Sequence, residues 1–178
     1  MNPITIAIVD DHTMMSKALE NMLSVEQRFK VIMNCANGEE FIEQLHQQSQ
    51  LPCVVLMDVY MPYKDGIETT QYLSNHYPEI KVIALTMEDN EKIIIQMLKA
   101  GAKGYLLKDM QPDILFEAIE TVDKKGSFYT DIVTQSLLRI KTEEHEAQNI
   151  LSELKEKEKE FIRWACSELT YKEIADKM

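Results

Sequence analysis

Four short apolar runs in this chain each end in a residue that can do chemistry. Ile4-Thr5-Ile6-Ala7-Ile8-Val9 leads into Asp10-Asp11, and Val54-Val55-Leu56-Met57 leads into Asp58. Lys81-Val82-Ile83-Ala84-Leu85 leads into Thr86, and Gly104-Tyr105-Leu106-Leu107 leads into Lys108. Three carboxylates brought to one place repel each other unless a cation sits among them. A few carboxylates with water is an oxygen ligand set that suits Mg2+. A metal held this way takes a second anionic guest, for which phosphate is the usual partner. Lys108 is a mobile point charge able to meet one phosphoryl oxygen, and the Thr86 hydroxyl can donate to another. Asp58 is then the candidate nucleophile, because a carboxylate can attack phosphorus and form an acyl phosphate. Metal and lysine would spread the charge of the group in transfer. A single Asp at a strand end is ordinarily a turn or cap residue. The weight lies in acid-acid, acid, hydroxyl and amine arriving in chain order. Removing either Asp10 or Asp11 is expected to weaken Mg2+ binding and, by relieving repulsion, to stabilise the metal-free fold.

These residues meet only if the runs that carry them are neighbouring parallel strands. The runs are β-branched and apolar throughout, as strands buried on both faces should be. A fifth run, Lys30-Val31-Ile32-Met33, leads into Asn34-Cys35 and offers no evident chemistry. Helical periods lie between the runs. Met14, Ala18 and Met22 recur at i, i+4, i+8, as do Met15, Leu19 and Leu23; Leu115, Ala118, Ile119 and Val122 form a similar stripe. Asn37-Gly38 can open the second helix, Asp65-Gly66 signals a turn, Gly101 stops a helix and Pro112 stands near the start of the next. Strands alternating with helices from residue 4 to about 124 predict an α/β fold with a doubly wound, five-stranded parallel sheet. Its site lies beyond the carboxyl ends of the strands.

Composition removes several classes of function. The 178 residues carry Lys+Arg 19 against Asp+Glu 30, a net charge of −11, which disfavours non-specific binding to nucleic acid. No stretch approaches the ~20 apolar residues of a membrane span, and the N-terminus lacks the basic region of a signal peptide. Cys35, Cys53 and Cys166 form no CxxC pair, so neither a disulfide framework nor a cysteine-zinc site is expected, and the chain reads as cytoplasmic. No GxxxxGK[ST] loop is present, which counts against an NTPase. A phosphatase of the haloacid-dehalogenase type wants a second Asp two residues after its nucleophile, where Tyr60 stands here. His12 reads as a local hydrogen-bonding residue rather than a ligand, and the 11 methionines as core filler.

Val9-Asp10-Asp11-His12, Leu56-Met57-Asp58-Val59-Tyr60-Met61-Pro62 with Asp65-Gly66, Ala84-Leu85-Thr86 and Ala100-Gly101-Ala102-Lys103-Gly104-Tyr105-Leu106-Leu107-Lys108 together resemble the receiver domain of two-component response regulators. The resemblance spans roughly residues 3–125 and implies a flavodoxin-like fold that signals rather than acts as an enzyme. It implies that Asp58 is the phosphorylation site and that Asp10, Asp11, Asp58 and the backbone carbonyl of Tyr60 hold Mg2+. It implies that Thr86 and Lys108 bind the phosphoryl group and that Tyr105 is the rotamer switch. The phosphoryl donor would be a phosphohistidine on a cognate sensor histidine kinase, and a homodimer would form on phosphorylation. Leu154, Glu158, Glu160, Phe161-Ile162, Thr170, Lys172-Glu173-Ile174-Ala175 and Met178 resemble the start of a LuxR/NarL-type helix-turn-helix. The expected organisation is a receiver at 1–125, a helix and linker at 126–150, and the first part of the helix-turn-helix at 151–178. The recognition helix would lie past Met178, so promoter DNA is expected as a partner of the full-length protein, not of this chain alone. The alternative is a receiver that acts by protein–protein contacts through a dimerising tail. No membrane partner is expected.

Overall fold

A computed structural model describes residues 2–87, 90–131 and 133–134. The expected helix-turn-helix at 151–178 and most of the helix and linker at 126–150 lie outside the described residues. In chain order the elements are β1 (Ile4–Val9), α1 (Thr13–Ser24), β2 (Phe29–Cys35), α2 (Gly38–Gln47), β3 (Val54–Asp58), α3 (Gly66–His76), β4 (Lys81–Thr86), α4 (Glu91–Ala100), β5 (Gly104–Leu107) and α5 (Pro112–Lys125). The five strands form one sheet in the order β2-β1-β3-β4-β5, all pairs parallel. This is the doubly wound arrangement that the alternating runs predict.

The period-2 alternation of each strand sorts its side chains between two apolar layers. Ile6, Ile8, Val54, Leu56, Ile83 and Leu85 pack with Leu19 and Leu23 of α1 and Leu115, Phe116, Ile119 and Val122 of α5. On the opposite face, Ala7, Val9, Val55 and Met57 pack with Phe41 and Leu45 of α2 and Leu73 of α3. Ala84 and Tyr105 pack with Ile94 and Met97 of α4, and Val133 joins them. With both faces covered, only the strand ends remain free to carry polar chemistry.

The helix boundaries follow local signals. Asn37 caps α2 by accepting from the Glu40 N–H, and Asp65 caps α3 by accepting from the Glu68 N–H. The Asp65-Gly66 turn signal is therefore a helix start. Gly101 ends α4 in the left-handed region, φ 110°, which its lack of a Cβ permits. Pro112 is the first residue of α5.

Strand β2 ends on Asn34-Cys35 as expected, with Cys35 buried and its carbonyl accepting the Asp10 N–H at 3.0 Å. One expectation needs correction. The two methionine stripes of α1 are not equivalent. Leu19 and Leu23 are core, with Met15 and Met22 packed against them, whereas Met14 is 89% exposed and Ala18 is also exposed. Met87 is 71% exposed as well, so these two methionines are surface rather than filler.

Candidate functional site

Strands β1 and β3 are neighbours, and after them the chain winds to opposite sides of the sheet, leaving a crevice at their carboxyl ends. Asp10 follows β1 and Asp58 closes β3, and both are buried. Lys108 follows β5, and its N–H donates to the Thr86 carbonyl at 2.7 Å, which fixes where its stem begins. Its ammonium reaches across the strand ends to lie 2.8 Å from Asp10 Oδ2 and 2.8 Å from Asp58 Oδ2. Asp10 Oδ2 is buried, and this contact is an ion pair rather than an aligned hydrogen bond.

One buried cation shared by two buried carboxylates does not balance the site. Burial, the largest influence, raises the Asp58 carboxyl above its ordinary range; the Lys108 ammonium opposes this and the neighbouring Asp10 adds to it. Asp11 stands at the exposed mouth. His12 brings an imidazole there too, with Nδ1 3.0 Å from Asp11 Oδ1, 3.4 Å from Asp10 Oδ1 and 3.8 Å from Asp58 Oδ2. Ligand atoms of Asp10, Asp11, His12 and Asp58 all lie within 4.8 Å of one another. Ionised, the three acids outweigh the one ammonium by two charges, which a divalent cation would cancel.

Of the residues singled out in the sequence, Asp10, Asp11, Asp58 and Lys108 come together directly. Thr86 is fully buried at the end of β4, the strand beside β3. Tyr60 follows β3 at the mouth and is 51% exposed. Tyr105 is buried with the α4 layer, next to Ala84.

The structure adds residues that spacing did not reveal. A Cβ on Gly66 would lie 2.1 Å from the Asp58 carbonyl oxygen, so only glycine lets α3 start against the backbone of the acid. Asn34, which looked inert, accepts from Ser16 Oγ at 2.9 Å and donates to Glu20 at 2.8 Å. That network ties α1 to β2 and holds its start over the site.

Residues 6–120 match the response regulator receiver domain. The chain belongs to the response regulator receiver family. Its receiver is of the NarL/LuxR class. It is 37% identical to the transcriptional regulatory protein DegU of Brevibacillus brevis over 78% of this chain, and spans 58% of that relative's length. It is 34% identical to the transcriptional regulatory protein LnrK of Bacillus subtilis over 98% of this chain and 82% of that one. The isolated receiver domain of RcsB from Salmonella enterica, solved with the phosphomimetic BeF3−, is 26% identical with a TM-score of 0.67, covering 76% of this chain and 99% of that one. Response regulator receivers are phospho-accepting signalling domains rather than metabolic enzymes, and the clustered acids of this receiver fit that role. Among the described residues, no helix is long and apolar enough to cross a membrane.

Proposed function

We propose that Asp58 is the phosphorylation site of this receiver. One observation carries the reading: a buried carboxylate at the end of a central strand shares a buried ammonium with a second buried acid. In the proposed reaction an Asp58 carboxylate oxygen attacks the phosphorus of a phosphohistidine. The P–N bond breaks, and its electron pair leaves with the imidazole of the donor. Asp10, Asp11, Asp58 and the Tyr60 carbonyl would hold Mg2+, which would supply charge neutralisation for the acids and the incoming phosphoryl oxygens. Lys108 moves its ammonium from the carboxylates to a phosphoryl oxygen, and the Thr86 hydroxyl donates to another. Movement of Thr86 then frees space for the Tyr105 ring, which couples the site to the α4 layer.

The donor on this reading is a cognate sensor histidine kinase. An apolar groove of about 370 Å3 beside the acids, lined by His12, Met14, Met15, Ala18, Met87 and Lys108, supports docking of a partner there. Domain boundaries at 125 and 150, homodimer formation on phosphorylation, promoter DNA as the target of the full-length protein, and a cytoplasmic location complete the proposal. The relatives that carry the name transcriptional regulatory protein support a DNA-directed output. The test is incubation with acetyl phosphate and Mg2+ followed by intact mass. One phospho-adduct is expected, lost with Asp58→Asn and lost with chelator. An adduct that survives either treatment overturns the assignment.

A further inference from the structure

His12 is the one aromatic nitrogen donor at the mouth of the acid cluster among the described residues. It stands at the N-cap of α1, where a side chain ordinarily accepts from the first helical N–H groups, yet it makes no such bond. Its backbone N–H donates instead to Asp10 Oδ1 at 2.9 Å, which pins the residue beside the acid. The ring is turned so that Nδ1 faces the carboxylates.

The separations are those of a shared coordination shell. Adjacent ligands of an octahedral cation with bonds of about 2.1 Å lie about 3.0 Å apart. His12 Nδ1 is 3.0 Å from Asp11 Oδ1 and 3.4 Å from Asp10 Oδ1. A single cation touching both acid oxygens therefore lies within bonding reach of the imidazole after sub-ångström adjustment. The side chain is 68% exposed, which leaves the ring room for that adjustment. Oxygen-only shells suit Mg2+, whereas imidazole shifts preference toward the borderline transition cations.

We propose that His12 Nδ1 is a ligand of the cation held by Asp10 and Asp11, and that it makes this pocket bind Zn2+ in preference to Mg2+. The inference rests on the acid pocket being the cation site of the proposed function. The alternative, that the ring only hydrogen-bonds to Asp11, predicts no bond from nitrogen to metal.

The test uses the metals alone on the full chain. Pulsed EPR of bound Mn2+ should show coupling to one imidazole nitrogen, and His12→Gln, which keeps the backbone N–H to Asp10, should lose it. Calorimetric titration should show Zn2+ binding weakened by ~10-fold or more in His12→Gln, with Mg2+ binding changed by less than about twofold. Circular dichroism confirms that the variant is folded. Bound Mn2+ without nitrogen coupling in the wild type overturns the inference, as does coupling that persists in His12→Gln or equal weakening for Mg2+ and Zn2+. Asp11→Asn separates the two levels. If Mn2+ binding disappears in that variant but nitrogen coupling was never present, the pocket stands and the role of His12 falls. If Mn2+ binding survives in that variant unchanged, the pocket itself is misassigned and both readings fall.

Discussion

Replacing Lys108 with methionine keeps the length of its stem and removes the charge that two buried acids share. Each contact is 2.8 Å, and at an effective dielectric near 20 one such pair amounts to about 6 kcal/mol of Coulomb energy before desolvation. Desolvation of all three groups consumes most of that. The useful quantity is the cost of stranding the carboxylates, typically ~3–5 kcal/mol for a buried pair broken on one side. Lys108→Met in metal-free protein should lose that much near neutral pH. The loss is limited by protonation, since Asp58 is already held above the ordinary carboxyl range by burial and the lysine is what pulls it down. An acid whose folded pKa is raised binds its proton more tightly in the native state, so stability is lost as pH rises through that pKa and regained as pH falls toward about 4. The penalty of Lys108→Met should therefore shrink between about pH 8 and about pH 4. Asp58→Asn alone should be neutral or stabilising, and in the double variant it should recover at least ~2 kcal/mol of the loss. Urea denaturation of the four proteins with chelator present gives the cycle directly. Additivity to within ~0.5 kcal/mol, or a penalty that grows on acidification, would refute the shared-ammonium account.

Gly66→Ala places a methyl group 2.1 Å from the Asp58 carbonyl oxygen and 2.9 Å from Val59 Cα. It should cost ~1–3 kcal/mol and slow phospho-adduct formation, whereas a wild-type denaturation midpoint would show that α3 can shift freely. Asp10 and Asp11, equivalent in the sequence, part company in the structure. Asp11→Asn should raise metal-free stability by ~0.5–1 kcal/mol and weaken Mg2+-induced stabilisation. Asp10→Asn should gain nothing when melted without metal, because Asp10 holds both the Lys108 ammonium and the His12 N–H. Burial, with help from Glu40, pushes the Cys35 thiol up to about 12 from an ordinary 9.0. The native state then keeps a proton that the unfolded chain loses, so stability should fall as pH rises from about 9 toward about 12, by ~2 kcal/mol at about pH 10.5. Cys35→Ala should flatten that slope relative to wild type, and identical slopes would remove the thiol as its cause.

Strand content and the doubly wound arrangement were legible because parallel strands buried on both faces leave continuous apolar runs, separated by helical periods. The acids and the lysine were legible because they sit immediately after those runs, where strand direction alone decides which end of the sheet they reach. His12, Gly66 and Asn34 were not legible in the same way. Whether an imidazole after two acids points at them or away depends on one backbone turn, here φ −81° and ψ 89° at His12, and on a hydrogen bond to Asp10 that no spacing encodes. Gly66 reads as a turn residue in any sequence; its approach to the Asp58 carbonyl exists only once α3 has packed back over β3. Asn34 acquires its role from Ser16 and Glu20, 18 and 14 residues away along the chain. Met14 is exposed for a similar reason, since a helical period identifies a stripe but not which of two adjacent stripes the sheet covers; Met87 is exposed because it lies past the end of β4 rather than on a helical face. The place of the clustered acids and lysine was thus fixed by strand direction, while the residues packed around them were fixed by contacts made only after the strands had assembled. Variants at Gly66 should accordingly act through the geometry of Asp58, and variants at His12 through the contacts of its ring beside Asp10 and Asp11, rather than through the fold of the sheet.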